Sequence, residues 1–557
     1  MSNVERPEHF VDRTPLVLGP ENTKEYRSAD LLIVGAGAAG LCTAIEARQN
    51  GADVLVVDRF EGGGSSAYSG GVVYAGGTAV QRSAGMEDSV DEMYKYLLRE
   101  WGATLSPHTI RAYCEQMVGN VDWLVELGVP FGTNIYTEKT AYPPDDYQLY
   151  YCGNEKMTGY REFAKPAARG HRTAGKGFTG KVLFAHLYTA ATRAGVRFIN
   201  HAPVGRLVVN ETGDVTGVEV NRIPEAHWSE HLGLYKRVAP LKPFNGAAAE
   251  EAIAKCRELE RRVGTAEIMR ARHGVVLATG GFEYNLGMLR RYQPFYAENF
   301  KALLRLGSMG ADGSGIELGQ SVGGKLVFMD KSFVGRTIAP PNALLGGLIV
   351  NKEGARVINE ESYTSFLGEA IGKQPSGIAW LLVDGQTFWK AVRQSMSGGL
   401  GQFKTVGVAA LIMLLGGTRR ARTVNDLAKK CGLNSAELIR TIDDHNNVAE
   451  RRGKDPMGKS AANLRVLGRP IYAINVSTSN KFTLAPLFTT GGLMTDDHAR
   501  VVRPDGSVVK GLYAVGRAAA GMCATNYISG TSLGDCVFSG RRAGRHAAAL
   551  GAPAPYR

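Results

Sequence analysis

Apolar residues follow two rhythms along this chain. Four unbroken runs are too short for stable helices and stop at or near glycine or aspartate: Leu31-Leu32-Ile33-Val34, Val54-Leu55-Val56-Val57, Val275-Val276-Leu277 and Leu512-Tyr513-Ala514-Val515. They predict buried strands. Elsewhere apolar residues recur every three or four positions. That spacing predicts helices over Ser89–Trp101 and Pro107–Leu127, each with a serine at or just ahead of its start. An amphipathic helix is expected from Ala247 to Arg262. Capped helices should open at Thr423-x-x-Asp426 and at Asn434-Ser435-Ala436-Glu437, and a small-residue helix should run from Gly530 to Leu550. Alternation from Val204 to Val220 around Glu211-Thr212-Gly213-Asp214 predicts a hairpin. Residues 133–170 follow neither rhythm. They carry Tyr136, Tyr142, Tyr147, Tyr150, Tyr151 and Tyr160 around Pro143-Pro144-Asp145-Asp146, and such a stretch either lines an apolar pocket or covers the core.

The strand-to-glycine pattern of the first 283 residues stops near Glu283 and resumes late, at Gly511–Gly516. This predicts an α/β nucleotide-binding domain in two parts, 1–283 and 470–557, with a second domain, 284–469, inserted between them. A charged insertion at 225–270 carries no readable function. The 557 residues leave room for more than one domain, and the 44% hydrophobic and 21% charged content suits a globular protein. The net charge of +12 comes without a Lys/Arg run interleaved with aromatics, so a solvated basic surface is expected rather than a nucleic-acid site. Seven cysteines without a C-x-x-C pair argue against metal sites and a disulfide framework and suit the cytoplasm. The first thirty residues hold no apolar leader core, and no apolar run reaches about 18 residues, so neither a secretory signal nor a transmembrane helix is expected. The run Val406–Gly416, flanked by Lys404 and by Arg419, Arg420 and Arg422, has two readings. It is a buried helix or an interfacial anchor making a peripheral membrane contact.

The densest chemistry lies between Asp30 and Asp58. Gly35-x-Gly37-x-x-Gly40 follows a strand and opens a helix, and the next strand ends on Asp58. Gly35 permits the tight turn, Gly37 admits a pyrophosphate against the backbone, and Gly40 lets helix and strand approach. The helix N-terminus offers N–H donors and a positive dipole end, and Asp58 suits ribose hydroxyls. A dinucleotide is expected here. The glycines of Gly62-Gly63-Gly64-Ser65-Ser66 and Ser69-Gly70-Gly71 should bring further backbone amides to it.

These motifs continue with Ala278-Thr279-Gly280-Gly281-Phe282, Arg356-x-x-Asn359-Glu360-Glu361, Gly491-Gly492-Leu493 and Ser529-Gly530-x-Ser532-Leu533-Gly534-Asp535. In this set the chain resembles the fumarate reductase/3-ketosteroid dehydrogenase group of FAD flavoproteins along nearly its whole length. The resemblance implies a Rossmann-like FAD-binding domain with an inserted α+β catalytic cap. It implies FAD contacts from Gly35, Gly37, Ala39, Gly40, Asp58 and Arg59, and from Gly64, Ser65, Ser66, Gly70 and Gly71. Further contacts are implied from Thr279, Gly280, Gly516, Arg517, Ser532 and Leu533. Arg517 stands where many reductases carry Glu. The covalent-flavin histidine is missing from 63–70, which implies noncovalent FAD.

Two departures from the dicarboxylate branch matter. Ser362-Tyr363-Thr364 occupies the place of a catalytic arginine, and Phe488-Thr489-Thr490 the place of a histidine. A small apolar, steroid-like ketone suits such a site better than two carboxylates. Asn526-Tyr527-Ile528-Ser529-Gly530 resembles the Y-x-S-G segment of 3-ketosteroid Δ4-(5α)-dehydrogenases. The resemblance makes Tyr527, with a backbone N–H near Thr531, the group that polarises the ketone. Tyr363, relayed through Ser529, becomes the base, though the two tyrosines could exchange roles. Δ1-dehydrogenation, reduction of an activated alkene and a flavoprotein without its own substrate are the rival readings. No second fingerprint for NAD(P)H is visible, so electrons are expected to leave to an external acceptor, with quinone one candidate.

Overall fold

The computed structural model describes residues 11–19, 27–238, 246–397, 403 and 407–551. Its organising element is a nine-stranded sheet. Strand Arg27–Val34 lies at its middle, parallel to Val54–Val57 on one side and to Thr265–Leu277 on the other. Leu31, Leu32, Ile33 and Val34 are all buried, as are Val54–Val57, because helices and loops cover both faces. The run at 275–277 is the second crossing of this sheet, and Leu512-Tyr513-Ala514 pairs parallel to it. Val275 and Leu512, 237 positions apart, are thereby paired, and the two parts of the nucleotide-binding fold meet.

Helix Ala38–Gln49 packs along the sheet against the C-terminal helix Thr531–Ala549. The small residues have a direct reason here. A Cβ on Gly540 would lie 2.7 Å from the Ala39 carbonyl oxygen, and one on Gly544 2.5 Å from that of Thr43. The two helix backbones approach too closely for any side chain at those positions.

The hairpin forms from Val204–Val209 and Val215–Arg222. Val90–Trp101 and Pro107–Glu126 are capped by Ser89 and Ser106, whose hydroxyls accept from Glu92 N and Thr109 N. Thr423 and Asn434 cap Val424–Cys431 and Ser435–Glu450 in the same way. A separate antiparallel sheet takes Leu348–Asn351, Ala379–Asp384, Ile471–Asn475 and Arg419–Ala421 in that spatial order. Its fourth strand in sequence lies just past position 469.

The tyrosine-rich stretch is more regular than its composition suggests. Pro143–Asp146 is irregular, but Ile135–Tyr136 and Leu149–Tyr150 are short strands. They join Gly170–Arg172 and Val72–Tyr74 in a four-stranded sheet. Pairing with partners distant in the sequence supplies the hydrogen bonds that local prolines cannot. The apolar run near 406 becomes helix Val408–Leu415, while Lys404 and Val406 lie outside the described residues.

Candidate functional site

One elongated cavity of about 760 Å³ runs from the Gly35 turn to the tyrosines. Gly35 takes φ +104, and a Cβ there would meet the Ala278 carbonyl oxygen at 2.6 Å. The turn is therefore closed to any residue with a side chain. On Gly40 a Cβ would lie 2.0 Å from the Gly35 carbonyl oxygen, so this glycine sets the approach of helix to strand and is off the cavity wall. Gly71 and Gly516 also lie behind the wall, whereas the other expected cofactor residues line it. These are Gly35, Gly37, Ala39, Asp58, Arg59, Gly64, Ser65, Ser66, Gly70, Thr279, Gly280, Arg517, Ser532 and Leu533.

The Asp58 carboxylate is heavily used by the backbone. Its Oδ2 accepts Ala36 N–H at 2.8 Å, and its Oδ1 accepts Phe60 N–H at 2.8 Å and Gly62 N–H at 3.2 Å. A carboxylate offers about four acceptor sites, so about one remains for a ribose hydroxyl. Ser66 Oγ accepts Ala38 N–H at 3.0 Å and ties the second glycine loop to the helix start. The Thr279 hydroxyl is buried on the cavity wall and has no hydrogen-bond partner among the described residues. An orphaned hydroxyl is costly in a dry site. It fits a cradle completed by a polar ligand, as the nucleotide reading requires.

Arg59 is fixed by carboxylates. Its guanidinium donates to both Glu260 oxygens at 2.7 and 2.9 Å and to Asp312 at 2.7 Å. Burial alone would raise the Glu260 carboxyl, but Arg59 and the His231 hydrogen bond outweigh it and hold it at about 2. His231 and Cys256 bring ligand atoms close to Glu260, yet both carboxylate oxygens already serve Arg59. The 225–270 insertion thus has a place in the site. Its helix, Gly246–Val263, walls the Asp58 end of the cavity with Arg257 and Glu260, and Tyr235 joins them. Arg517 is paired as well, with both oxygens of the buried Glu283 at 2.8 and 2.9 Å, and Thr489 Oγ1 braces the same carboxylate at 3.0 Å.

At the opposite end Tyr363, Tyr527 and Ser529 converge on the cavity. Tyr363 stands just ahead of helix Thr364–Gly372 without a side-chain capping bond, and its N–H donates to Asn154 Oδ1 at 2.7 Å. The Tyr527 ring stands edge-on to Phe333 and Phe488, with centroids 4.9 and 5.0 Å away, and those two rings stack on each other. Aromatic rings thus occupy the place where a dicarboxylate site would need a cation. The nearby Arg336 guanidinium donates instead to the carbonyls of Ser477 and Thr483. Burial raises the Tyr527 phenol, and the Gly530 N–H, bonded to its oxygen, partly offsets this. Gly530 sits at φ +90 with no space for a Cβ, which would meet Tyr74 N at 2.9 Å. The Thr531 N–H is turned to the Ile528 carbonyl at 3.2 Å.

Burial and the neighbouring Tyr527 push the Tyr363 phenol well up, while a hydrogen bond from Ser529 works the other way. Ser529 Oγ also lies 2.8 Å from the Tyr150 hydroxyl. Tyr150 is the residue that the sequence placed only in an ambiguous tyrosine cluster. The spacing of its own segment gave no signal for this contact.

The family described as "FAD binding domain" matches residues 30–533. The chain is 33% identical over 537 residues to the 3-oxo-5-alpha-steroid 4-dehydrogenase of Comamonas testosteroni, covering 93% of this chain and 98% of the relative. It is 26% identical over 578 residues to the 3-oxosteroid 1-dehydrogenase of Mycobacterium tuberculosis, covering 93% and 98%. Among solved structures, the 3-ketosteroid-Δ4-(5α)-dehydrogenase of Rhodococcus jostii RHA1 in complex with 4-androstene-3,17-dione superposes with a TM-score of 0.78. It shares 30% identity, and the match covers 96% of this chain and 99% of that one.

Proposed function

We propose, from the premise that this chain belongs to the FAD binding domain family, that it oxidises a 3-ketosteroid by introducing a ring double bond beside the ketone, between C4 and C5. The full-length similarity to Δ4-(5α)-dehydrogenases supports this reading. The observation that carries it is the convergence of Tyr363, Tyr527 and Ser529 on an aromatic-walled end of the cavity that also holds the nucleotide cradle. Residues 284–469 are read as the cap over that end.

The Gly35–Gly40 turn, Asp58, Ser66 and Thr279 would hold noncovalent FAD, which when bound supplies the two-electron oxidant that takes the hydride at its N5. The remaining work falls to the chain. The Tyr527 hydroxyl, whose ring stands edge-on to Phe333 and Phe488, donates to the ketone oxygen and stabilises the enolate charge that gathers there as the neighbouring C–H bond breaks. The proton leaves the α carbon for the Tyr363 phenolate oxygen, directly or through the Ser529 hydroxyl. A phenol is a weak base near neutrality, so the Ser529 hydrogen bond matters to its reactivity. Arg59 and Arg517, each held by carboxylates, do not confront the apolar ketone with an unpaired cation. Δ1-dehydrogenation is the second reading, favoured by the full-length similarity to the M. tuberculosis relative. Anaerobic mixing with a saturated 5α-3-ketosteroid tests both against a substrate-free flavoprotein, because only an enzyme bleaches its flavin rapidly.

An apolar substrate also suits a lipid surface. No described helix is long and apolar enough to cross a membrane. On helix Val408–Leu415, Ala410, Met413 and Leu414 are buried, while Val408, Ile412 and Leu415 are 40%, 40% and 66% exposed along one face. Val408 and Ile412, with Phe482 and Lys481, also line the cavity, and Arg419, Arg420 and Arg422 are exposed nearby in the sequence. We read this rim as an entrance that rests on anionic lipid, apolar residues in the acyl boundary and cations at the headgroups. The seven free cysteines support a cytoplasmic setting. The protein is expected to float with anionic liposomes at low salt and to be released by high salt, with Leu415→Glu weakening the association. A protein that stays at the bottom of the gradient at low salt would sink the membrane reading. The electron acceptor is read as an external one, a quinone or another redox partner.

A further inference from the structure

Phe60, Gly62 and Ala202 line the cofactor cavity, while Glu61 and His201, their neighbours in the chain, line a second cavity of about 550 Å³. Much of the rest of its wall is aromatic. Phe184, Tyr188 and Phe198 follow one another with ring centroids 5.6 and 4.7 Å apart, and Trp228 stacks on the His201 ring at 4.8 Å. These four rings are only half-buried. His201 is different. It is 1% exposed and takes φ +53, in the left-handed region. Its N–H donates to the Phe60 carbonyl at 3.1 Å, and its carbonyl accepts the Ile223 N–H at 2.9 Å. A residue held in so costly a conformation, with its backbone pinned on both sides, has a fixed side-chain direction. Yet its Nε2 is buried without a hydrogen-bond partner among the described residues. Glu61 Oε1 stands 3.7 Å away, beyond hydrogen-bond reach.

The neighbouring hydrogen bonds decide which ring nitrogens carry hydrogen. Glu260 is a carboxylate and only accepts, so His231 Nε2, 2.9 Å from it, is an N–H donor. Imidazoles are neutral in mildly alkaline solution. His231 Nδ1 is then bare and takes the hydrogen of His201 Nδ1 across their 3.0 Å contact. His201 Nε2 is left as an unused lone pair on the cavity wall, beside the Glu61 carboxylate. Two acceptors side by side call for a donor, and the carboxylate and the aromatic faces both favour a positively charged one. Arg27 and Arg222 also line the cavity, but Glu267 stands against both, at 2.8 and 4.0 Å. We infer that this cavity is a second ligand site, built for an arylalkyl ammonium whose ring rests on the aromatic wall and whose N–H groups donate to His201 Nε2 and Glu61. A metal ion would find only these two side chains and Asn200 among the described lining groups able to ligate it, short of the usual four donors. The site is independent of the ketone chemistry.

The test is calorimetric titration of the FAD-loaded protein with phenethylammonium at about pH 8, where the imidazoles are neutral and the amine is charged. One saturable site per chain is expected. Glu61→Gln should weaken it about tenfold, the usual weight of a hydrogen bond to a charged group, with bound FAD unchanged. His201→Asn should weaken it as much, since asparagine tolerates the left-handed backbone but lacks the Nε2 acceptor. Phenylacetate, which carries the opposite charge on a similar body, should not occupy the site. Absence of saturable amine binding overturns the proposal, and so does binding that Glu61→Gln leaves unchanged. Phenylacetate bound as tightly as the amine would put the ligand's charge at Arg27 and Arg222 instead, and overturns it too. The Glu61 side chain is 54% exposed, so its substitution spares the fold and decides the matter even where His201→Asn does not fold.

Discussion

Tyr363→Phe is expected to slow dehydrogenation by about 10²–10⁴-fold, the usual weight of a positioned general base, while the protein remains folded and keeps its FAD. The ring is buried, and phenylalanine preserves its packing. The cradle residues Gly35, Asp58, Ser66 and Thr279 lie on other elements. Only the oxygen that receives the α proton is lost. The same variant should lose the pH dependence of the step. Burial places the Tyr363 phenol above its ordinary range, so the reactive phenolate fraction, and with it the wild-type rate, grows with rising pH. A variant without that oxygen has no such fraction to gain. Stopped-flow reduction across a pH series measures both effects. A folded, FAD-replete Tyr363→Phe protein with most of the wild-type rate would remove Tyr363 from the mechanism.

Tyr527→Phe should cost about 10²–10³-fold in turnover, as loss of a donor to a developing oxyanion does. Substrate binding should change much less. The two aromatic neighbours make this substitution clean. Phe333 and Phe488 contact the Tyr527 ring edge-on, and that contact survives in phenylalanine. The hydrogen bond to a neutral ketone is weak and strengthens only as the α proton departs, so the loss should appear in the reduction rate more than in the dissociation constant. An equal loss in both would mean that the hydroxyl merely binds. Near-normal activity would mean that the tyrosine is a core aromatic with a satisfied hydroxyl.

The features legible in the sequence were those whose cause is local. Gly35, Gly37 and Gly40 announce a turn and a helix start by their spacing, and Gly40 acts on the Gly35 backbone five residues away. The buried strands at Leu31–Val34 and Val54–Val57 declare themselves as unbroken apolar runs. Tyr363, Tyr527 and Ser529 became visible through a resemblance carried by short motifs, and the fold brings them to one cavity. What stayed hidden depends on partners that folding brings from afar. Tyr150 and Ser529 are 379 positions apart, Arg517 and Glu283 234, and Arg59 and Glu260 201. No periodicity or spacing encodes such pairs. Glu260 sits on an amphipathic helix that reads as a charged surface element until Arg59 is seen beneath it. Arg517, a departure from the reductase pattern in sequence, becomes intelligible once Glu283 is found opposite it. The tyrosine-rich strands were obscured for the same reason, since Leu149–Tyr150 gains its pairing from Gly170–Arg172 rather than from neighbours in the chain.

Residues that polarise the ketone and remove its α proton should oxidise a 3-ketosteroid at C4–C5. The most direct measurement is to turn the purified enzyme over on a saturated 5α-3-ketosteroid with an artificial electron acceptor and locate the new double bond in the product by NMR. The expected result is rapid flavin bleaching before the acceptor is added and a product unsaturated between C4 and C5. A bleached flavin with the double bond between C1 and C2 would contradict the regiochemistry, and a flavin left oxidised with the steroid unchanged would contradict the claim as a whole.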